Sequence, residues 1–443
     1  MTSISIKRIL IASGGTGGHF YPGLALANAL RARGGWEPVF LVKKGDISIG
    51  ALQKNYYPYA EIDMTALPRT LNPMAQLSFL YKFSSSLATC LRVLKDFKPV
   101  LVFGTGSYIS FPAILAAYIK RTPSIIHESN AKFGLGNRLC ACFASATALG
   151  LPVKDNPFKA KSQLTGTPIR EIFSAHADPA EARARLGLKE GEPVLLIFGG
   201  SQGARRLNRA AASAVKKMKE KGLAFQVLHL AGKRDHADTL ASYSESGLSS
   251  ELSLNLNPAV QNGSHWNNKG TELFCRIPRE ADGGPSAMRA GPDEVYSSRR
   301  APAMRAESCT CNFQVKVLDY CEDMNMLYAA ADVICCRSGA STVAELLYLK
   351  KPAVLVPLPT SAGGHQLANA EVLKEAGAAV IVEESQDFDE RLAAQLELLL
   401  DSPGELERMR SSFAGLKGLP NPMKAPESII GIIEKLIIYR NDA

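Results

Sequence analysis

The chain has 443 residues, 46% of them hydrophobic and 21% charged. Those proportions suit a globular protein with two or three cores and exclude a disordered or fibrous one. It has no run of about 18 uncharged apolar residues, which excludes a membrane-spanning helix, and Ile9–Ala12 is too short for the apolar part of a signal peptide.

The formal net charge of +9 is unevenly placed: residues 1–165 carry 19 Lys and Arg against 7 Asp and Glu, the remainder 32 against 35. A basic first half attracts an anionic membrane surface, a pyrophosphate or nucleic acid. It has no zinc-finger, RRM or basic-zipper pattern, which argues against nucleic acid. Nine scattered cysteines without a secretory signal read as reduced cytosolic thiols.

In chain order, Ile4–Ala12 reads as a parallel strand, Ser13–His19 as a glycine-rich turn, and Pro22–Ala32 as a helix. The turn lets backbone approach a ligand, and the helix start favours an anion. It is neither the dinucleotide fingerprint, since Phe20 stands where a third glycine belongs, nor a P-loop. His19 is a candidate general base there. Val39–Val42 is the next strand. Leu77–Leu94 is a helix with one apolar face, suited to a core or, with Phe79, Tyr81 and Phe83, to lipid. Strands Val100–Phe103, Ser124–His127 and Thr147–Leu149 follow, then a basic loop Lys154–Lys161 and a boundary at Gly166–Arg170.

The pattern then restarts with strand Val194–Phe198, turn Gly199–Gly203, helix Ala204–Lys219 and strand Phe225–Leu230. Gly247–Cys311, about 65 residues without periodicity, is expected to be a disordered insertion. Its Cys309, Cys311, Cys275 and His265 match no standard zinc spacing, so no metal site is expected. Strand Phe313–Leu318 and helix Met324–Ala331 lead to strand Val333–Cys336, turn Arg337–Gly339, helix Ser341–Leu349 and strand Ala353–Pro357. That βαβ turn lies where open α/β sheets bind ligands, and its helix start can face a phosphate. Glu345, one turn further in, can accept both hydroxyls of a ribose. Gly364–Ala376, Phe388–Leu400 and Glu405–Leu416 read as helices, Val380–Val382 as the last strand, and Pro426–Arg440 as an amphipathic tail.

Eight ordered motifs, GGTGGHFYPGLALA, GSYISFP, HESN, GTPIR, GGSQGARRLN, ADVICCRSGASTVAE, PAVLVPLP and HQLANAEVLKEAGAA, resemble the MurG family of N-acetylglucosaminyltransferases. The resemblance implies an α/β GT-B fold, two doubly wound Rossmann-like domains facing a cleft. Residues 1–165 form the acceptor and membrane-facing domain, residues 166–420 the UDP-sugar domain, and residues 421–443 a helix packing back on the first. It implies transfer of GlcNAc from UDP-GlcNAc to lipid I, with inversion and without a cofactor or metal, at the cytoplasmic face of the inner membrane. By the same resemblance Glu345 meets the uridine ribose, Ala340–Thr342 amides the α-phosphate, with Ser341, Val343 and Ala344 in the same donor loop. Ser201 meets the diphosphate, Arg170 lies near the phosphates, Gln366 contacts the GlcNAc hydroxyls, and the Cys321 backbone meets uracil. Thr16, Gly17, Gly18 and Asn130 lie between acceptor pyrophosphate and donor sugar, with His19 near the reacting centre. Ser129, Phe133 and Thr167 depart from the usual Gln, Pro and Asn. Two alternatives are a related enzyme with another lipid acceptor and a non-catalytic binder of nucleotide sugar or membrane.

Overall fold

The computed structural model describes residues 6–15, 17–68, 72–200, 203–245, 314–416 and 418–441. Thr16, Ser201, the expected insertion Gly247–Cys311 and its cysteines and His265 lie outside the described residues.

Seven strands form the first sheet: β1 (Lys7–Ala12), β2 (Trp36–Lys43), β3 (Tyr59–Ile62), β4 (Leu101–Gly104), β5 (Ser124–Glu128), β6 (Ala146–Leu149) and β7 (Ser162–Leu164). They are all parallel in the order β3-β2-β1-β4-β5-β6-β7. Six strands form the second: β8 (Val194–Phe198), β9 (Gln226–Leu230), β10 (Gln314–Leu318), β11 (Val333–Cys336), β12 (Ala353–Leu355) and β13 (Ala379–Ile381). Their order is β10-β9-β8-β11-β12-β13, again parallel.

Alternation along a strand sends successive side chains to opposite faces. In β1, Ile9 and Ile11 join a core with Phe20, Leu26 and Leu30, whereas Leu10 and Ala12 join Val93, Ala113 and Ala117 on the other side. The second sheet is likewise covered on both faces, with Leu196 and Ile334 on one and Leu195 and Val333 on the other. Strands buried on both faces are continuous apolar runs, which is why β8 and β11 are found where the sequence places them.

The first helix spans Gly17–Arg33, starting five residues before the expected Pro22, because the glycines themselves form its opening turn. The helix expected over Leu77–Leu94 spans Pro73–Phe97 and is divided lengthwise. Cys90, Val93 and Phe97 are buried, while Met74, Leu77, Leu80 and Tyr81 stand in solvent.

Two segments cross between the sheets and touch. A Cβ on Gly166, just past β7, would lie 3.3 Å from Pro420 and 3.4 Å from Ala425. Beyond Pro420, the helix Ala425–Asn441 returns to the first sheet, burying Ile429, Ile430 and Ile433 against β1 and pairing Glu434 with Arg33 at 2.9 Å.

Candidate active site

Each sheet reverses its strand order once, between β1 and β4 in the first and between β8 and β11 in the second. Ligands of open α/β sheets bind beyond the carboxyl ends of strands at such points.

At the first reversal the opening turn of the helix after β1 carries His19, and the loop after β4 carries Thr105. The His19 Nδ1–H donates to the Thr105 carbonyl at 3.0 Å, which leaves the lone pair on Nε2. The ring is half-buried. Gly106 seats it: a Cβ there would lie 3.1 Å from His19 Nδ1 and 3.1 Å from Asn137 Nδ2, and its φ of +93° favours glycine. The glycine turn is shaped by Asp46, whose Oδ2 accepts from Gly15 N–H at 2.7 Å. Gly17 and Gly18 follow as the opening of the helix.

A network of amides lies beside His19, across Gly106. Asn137 Nδ2 donates to Glu128 Oε2 at 2.9 Å, and Glu128 also accepts from Gly134 N–H at 3.0 Å and from both the N–H and Nδ2 of Asn130. Asn130 Oδ1 then accepts across the cleft from Asn369 Nδ2 at 3.0 Å. Asn369 is fully buried, accepts from Ala131 N–H at 2.8 Å and donates to the Ser338 carbonyl at 3.1 Å. A continuous chain of hydrogen bonds thus connects the turn after β11 with the loop after β5. His365, at the start of the same helix as Asn369, has its pKa lowered chiefly by burial, with the charge of Glu128 opposing.

Ser129, at a position where glutamine is expected, donates to His127 Nδ1 at 3.1 Å, and His127 Nε2–H donates to the Gly166 carbonyl at 3.2 Å. Burial holds the His127 pKa down at about 4.

At the second reversal, Arg337-Ser338-Gly339 turns from β11 into the helix Ala340–Leu349. Arg337 is anchored to Glu384 at 2.6 Å, and Ser338 Oγ donates to the Gln366 carbonyl at 2.7 Å. Gly339 caps the helix without a side-chain bond, so the leading amides of Ala340, Ser341 and Thr342 open a helix N-terminus suited to an anion. Ser341 Oγ is enclosed with no partner among the described residues. Val343 and Ala344 point into the core.

Glu345 is 9% exposed and held at two points, by the Tyr328 hydroxyl at 2.9 Å and by Arg170 Nη2 at 3.5 Å. Burial raises its pKa, and the Arg170 charge and the two hydrogen bonds oppose that rise. Arg170 lies over Tyr21 of the first domain at 5.2 Å and over Phe173 at 5.1 Å, so the cation sits at the cleft between both domains. Gln366 Oε1 accepts from Leu358 N–H at 2.9 Å. The Cys321 side chain is buried, and burial pushes its thiol up to about 11.

Of the residues singled out from sequence, Arg170 and Glu345 therefore meet, while Asn130 belongs to a network whose Asn137 flanks the same Gly106 as His19. Glu128, Asn137, Tyr328 and Asn369 carry that geometry and were not singled out. Glu128 and Asn369 stand inside the HESN and HQLANA motifs, the one signal that marks them.

The glycosyltransferase family 28 N-terminal domain matches residues 9–149, and the family 28 C-terminal domain matches residues 194–260 and 296–420. A relative from Elusimicrobium minutum is a UDP-N-acetylglucosamine--N-acetylmuramyl-(pentapeptide) pyrophosphoryl-undecaprenol N-acetylglucosamine transferase. It is 35% identical over 97% of this chain and 100% of its own length. A relative of the same name from Halothermothrix orenii is 30% identical over 96% of this chain and 98% of its own. Among solved structures, Acinetobacter baumannii MurG superposes with a TM-score of 0.65 at 24% identity, covering 97% of this chain and 99% of that one, a likeness of fold. With both family 28 domains in order and full-length relatives of one name, the chain belongs to glycosyltransferase family 28, in its MurG group of N-acetylglucosaminyltransferases.

Proposed function

We propose that the chain transfers GlcNAc from UDP-GlcNAc to the 4-hydroxyl of undecaprenyl-pyrophosphoryl-MurNAc-pentapeptide, with inversion at the sugar carbon. The observation that carries the reading is Glu345, buried at the interdomain cleft beside an open helix N-terminus, in a chain alignable end to end with transferases of that name.

The residue roles proposed are those that the family resemblance implies. The Glu345 carboxylate takes the ribose hydroxyls, and the amides of Ala340–Thr342 face the diphosphate. Arg170 adds positive charge there, so the developing charge on departing UDP meets fixed dipoles and a guanidinium. Gln366 orients the sugar. On the other wall, Gly17, Gly18 and Asn130 flank the acceptor. His19 Nε2 takes the proton of the acceptor hydroxyl as its oxygen attacks the sugar carbon from the face opposite UDP. The carbon–oxygen bond to the diphosphate breaks, and the electron pair leaves with UDP. The Thr105 carbonyl fixes the ring so that Nε2 is the acceptor of that proton.

The exposed apolar face of Met74, Leu77, Leu80 and Tyr81 belongs to the basic first domain and fits the surface of an anionic bilayer, where the lipid acceptor resides. No helix among the described residues is long and apolar enough to cross a membrane.

The reading is tested with radiolabelled UDP-GlcNAc and a soluble analogue of the muramoyl-pentapeptide acceptor, with diacylglycerol as the competing acceptor. Label must pass to the first and not to the second. Transfer to diacylglycerol alone, or nucleotide-sugar binding without transfer, overturns it.

A further inference from the structure

A cavity of about 1050 Å³ lies between the domains, and none of its walls belongs to the donor site described above. It begins at Ala131, one residue past Asn130, and its other wall reaches Gly363 and Gly364, directly before His365. It therefore adjoins the end of the cleft where acceptor and donor sugar meet. Its volume is just above the roughly 300–1,000 Å³ usual for small-molecule sites.

Its lining is mixed in a particular way. Phe133, Leu367, Val372 and Leu416 supply apolar surface. The charges are balanced and segregated: Lys132, Arg138 and Lys154 stand on the first domain with Asp155, and Glu371 and Glu375 stand on the second. Lys154 and Glu375 already neutralise each other across the gap at 2.6 Å. Lys132, Arg138 and Glu371 make no ion pair with the described residues and remain available to an occupant of both signs. A lipid chain would strand these charges beside hydrocarbon. A second nucleotide would bring phosphate against Glu371 and Glu375. A short peptide, with carboxylates, amides and apolar side chains, satisfies every wall, and five residues extend about 17 Å at most.

We propose that this cavity holds the peptide arm of the acceptor, with peptide carboxylates on Lys132 and Arg138 and peptide nitrogen toward Glu371. The proposal rests on the functional reading above, in which the acceptor sugar carries a pentapeptide.

The test compares two soluble acceptors, one with the pentapeptide and one with the peptide removed and the lactyl group amidated. Wild type should use the peptide acceptor with kcat/KM at least about tenfold higher, and the Lys132→Ala/Arg138→Ala double variant should lose that advantage through KM. Its KM for UDP-GlcNAc and its rate with the peptide-free acceptor should not change. Glu371→Lys should lower kcat/KM for the peptide acceptor alone. Equal use of both acceptors by wild type, or variants that affect both acceptors alike or neither, overturns the peptide site. Turnover of neither acceptor by wild type is the separate failure of the functional reading itself.

Discussion

Asn369 Nδ2 lies 3.0 Å from Asn130 Oδ1, and with the Ala131 N–H on its Oδ1 this one amide joins the two domains at that end of the cleft. Asn369→Asp keeps the shape but removes the donor and places a carboxylate against the Asn130 and Ser338 oxygens. Turnover should fall at least about tenfold, with a stability loss of roughly 1–3 kcal/mol for the buried groups left unpaired. Steady-state kinetics and thermal melting check it; unchanged turnover would show that the bridge does not organise the site.

His19→Ala should lower kcat by about 10²–10⁴-fold while UDP-GlcNAc binding, measured by calorimetry, stays within about twofold. Gly106→Ala should produce a similar loss with the imidazole still present, because the new Cβ meets Nδ1 at 3.1 Å and displaces the ring. A fully active Gly106→Ala would remove the need for the present ring position.

Glu345→Gln should raise KM for UDP-GlcNAc far more than KM for the acceptor, because the neutral amide pairs poorly with both Arg170 and a ribose diol. Tyr328→Phe acts one step removed. It strips a buried carboxylate oxygen of its 2.9 Å donor, so donor affinity should fall by less than in Glu345→Gln. Product-release assays with UDP give the same ranking if the ribose contact is the one lost.

Acid should destabilise the fold through His127. Its folded pKa of about 4 lies below the ordinary 6.5, so the unfolded chain binds the extra proton between those values. The contribution is fully present above about pH 6.5 and is lost as pH falls toward 4, amounting to ~3 kcal/mol at the acid end. His229, at about 3, acts in the same direction. Urea midpoints should therefore drop from pH 7.5 to 5, and His127→Gln should flatten that slope.

Leu77→Asp combined with Leu80→Asp should abolish sedimentation with anionic vesicles while leaving turnover of a soluble acceptor intact. Both side chains are more than half exposed, at 64% and 57%, so folding does not depend on them.

What was legible in the sequence follows from where its determinants lie. Strands β8 and β11 are apolar on both faces and short-range in pattern, and Glu345 follows β11 at a spacing that a helix fixes. Strands β3 and β7 escaped because each lies at a sheet edge with an exposed residue, Glu61 and Gln163, interrupting the run. The Asn130–Asn369 bridge joins residues 239 positions apart, and no local pattern encodes such a pairing. Tyr328 reads as one more core aromatic in a short helix; only the fold shows that its hydroxyl meets Glu345.

The abutting passages at Gly166 and Pro420 have a mechanical consequence. The second lobe is tethered by two adjacent passages of chain instead of one. Any rotation of one lobe against the other must bend both passages together, a restraint that twisting meets more strongly than flexing.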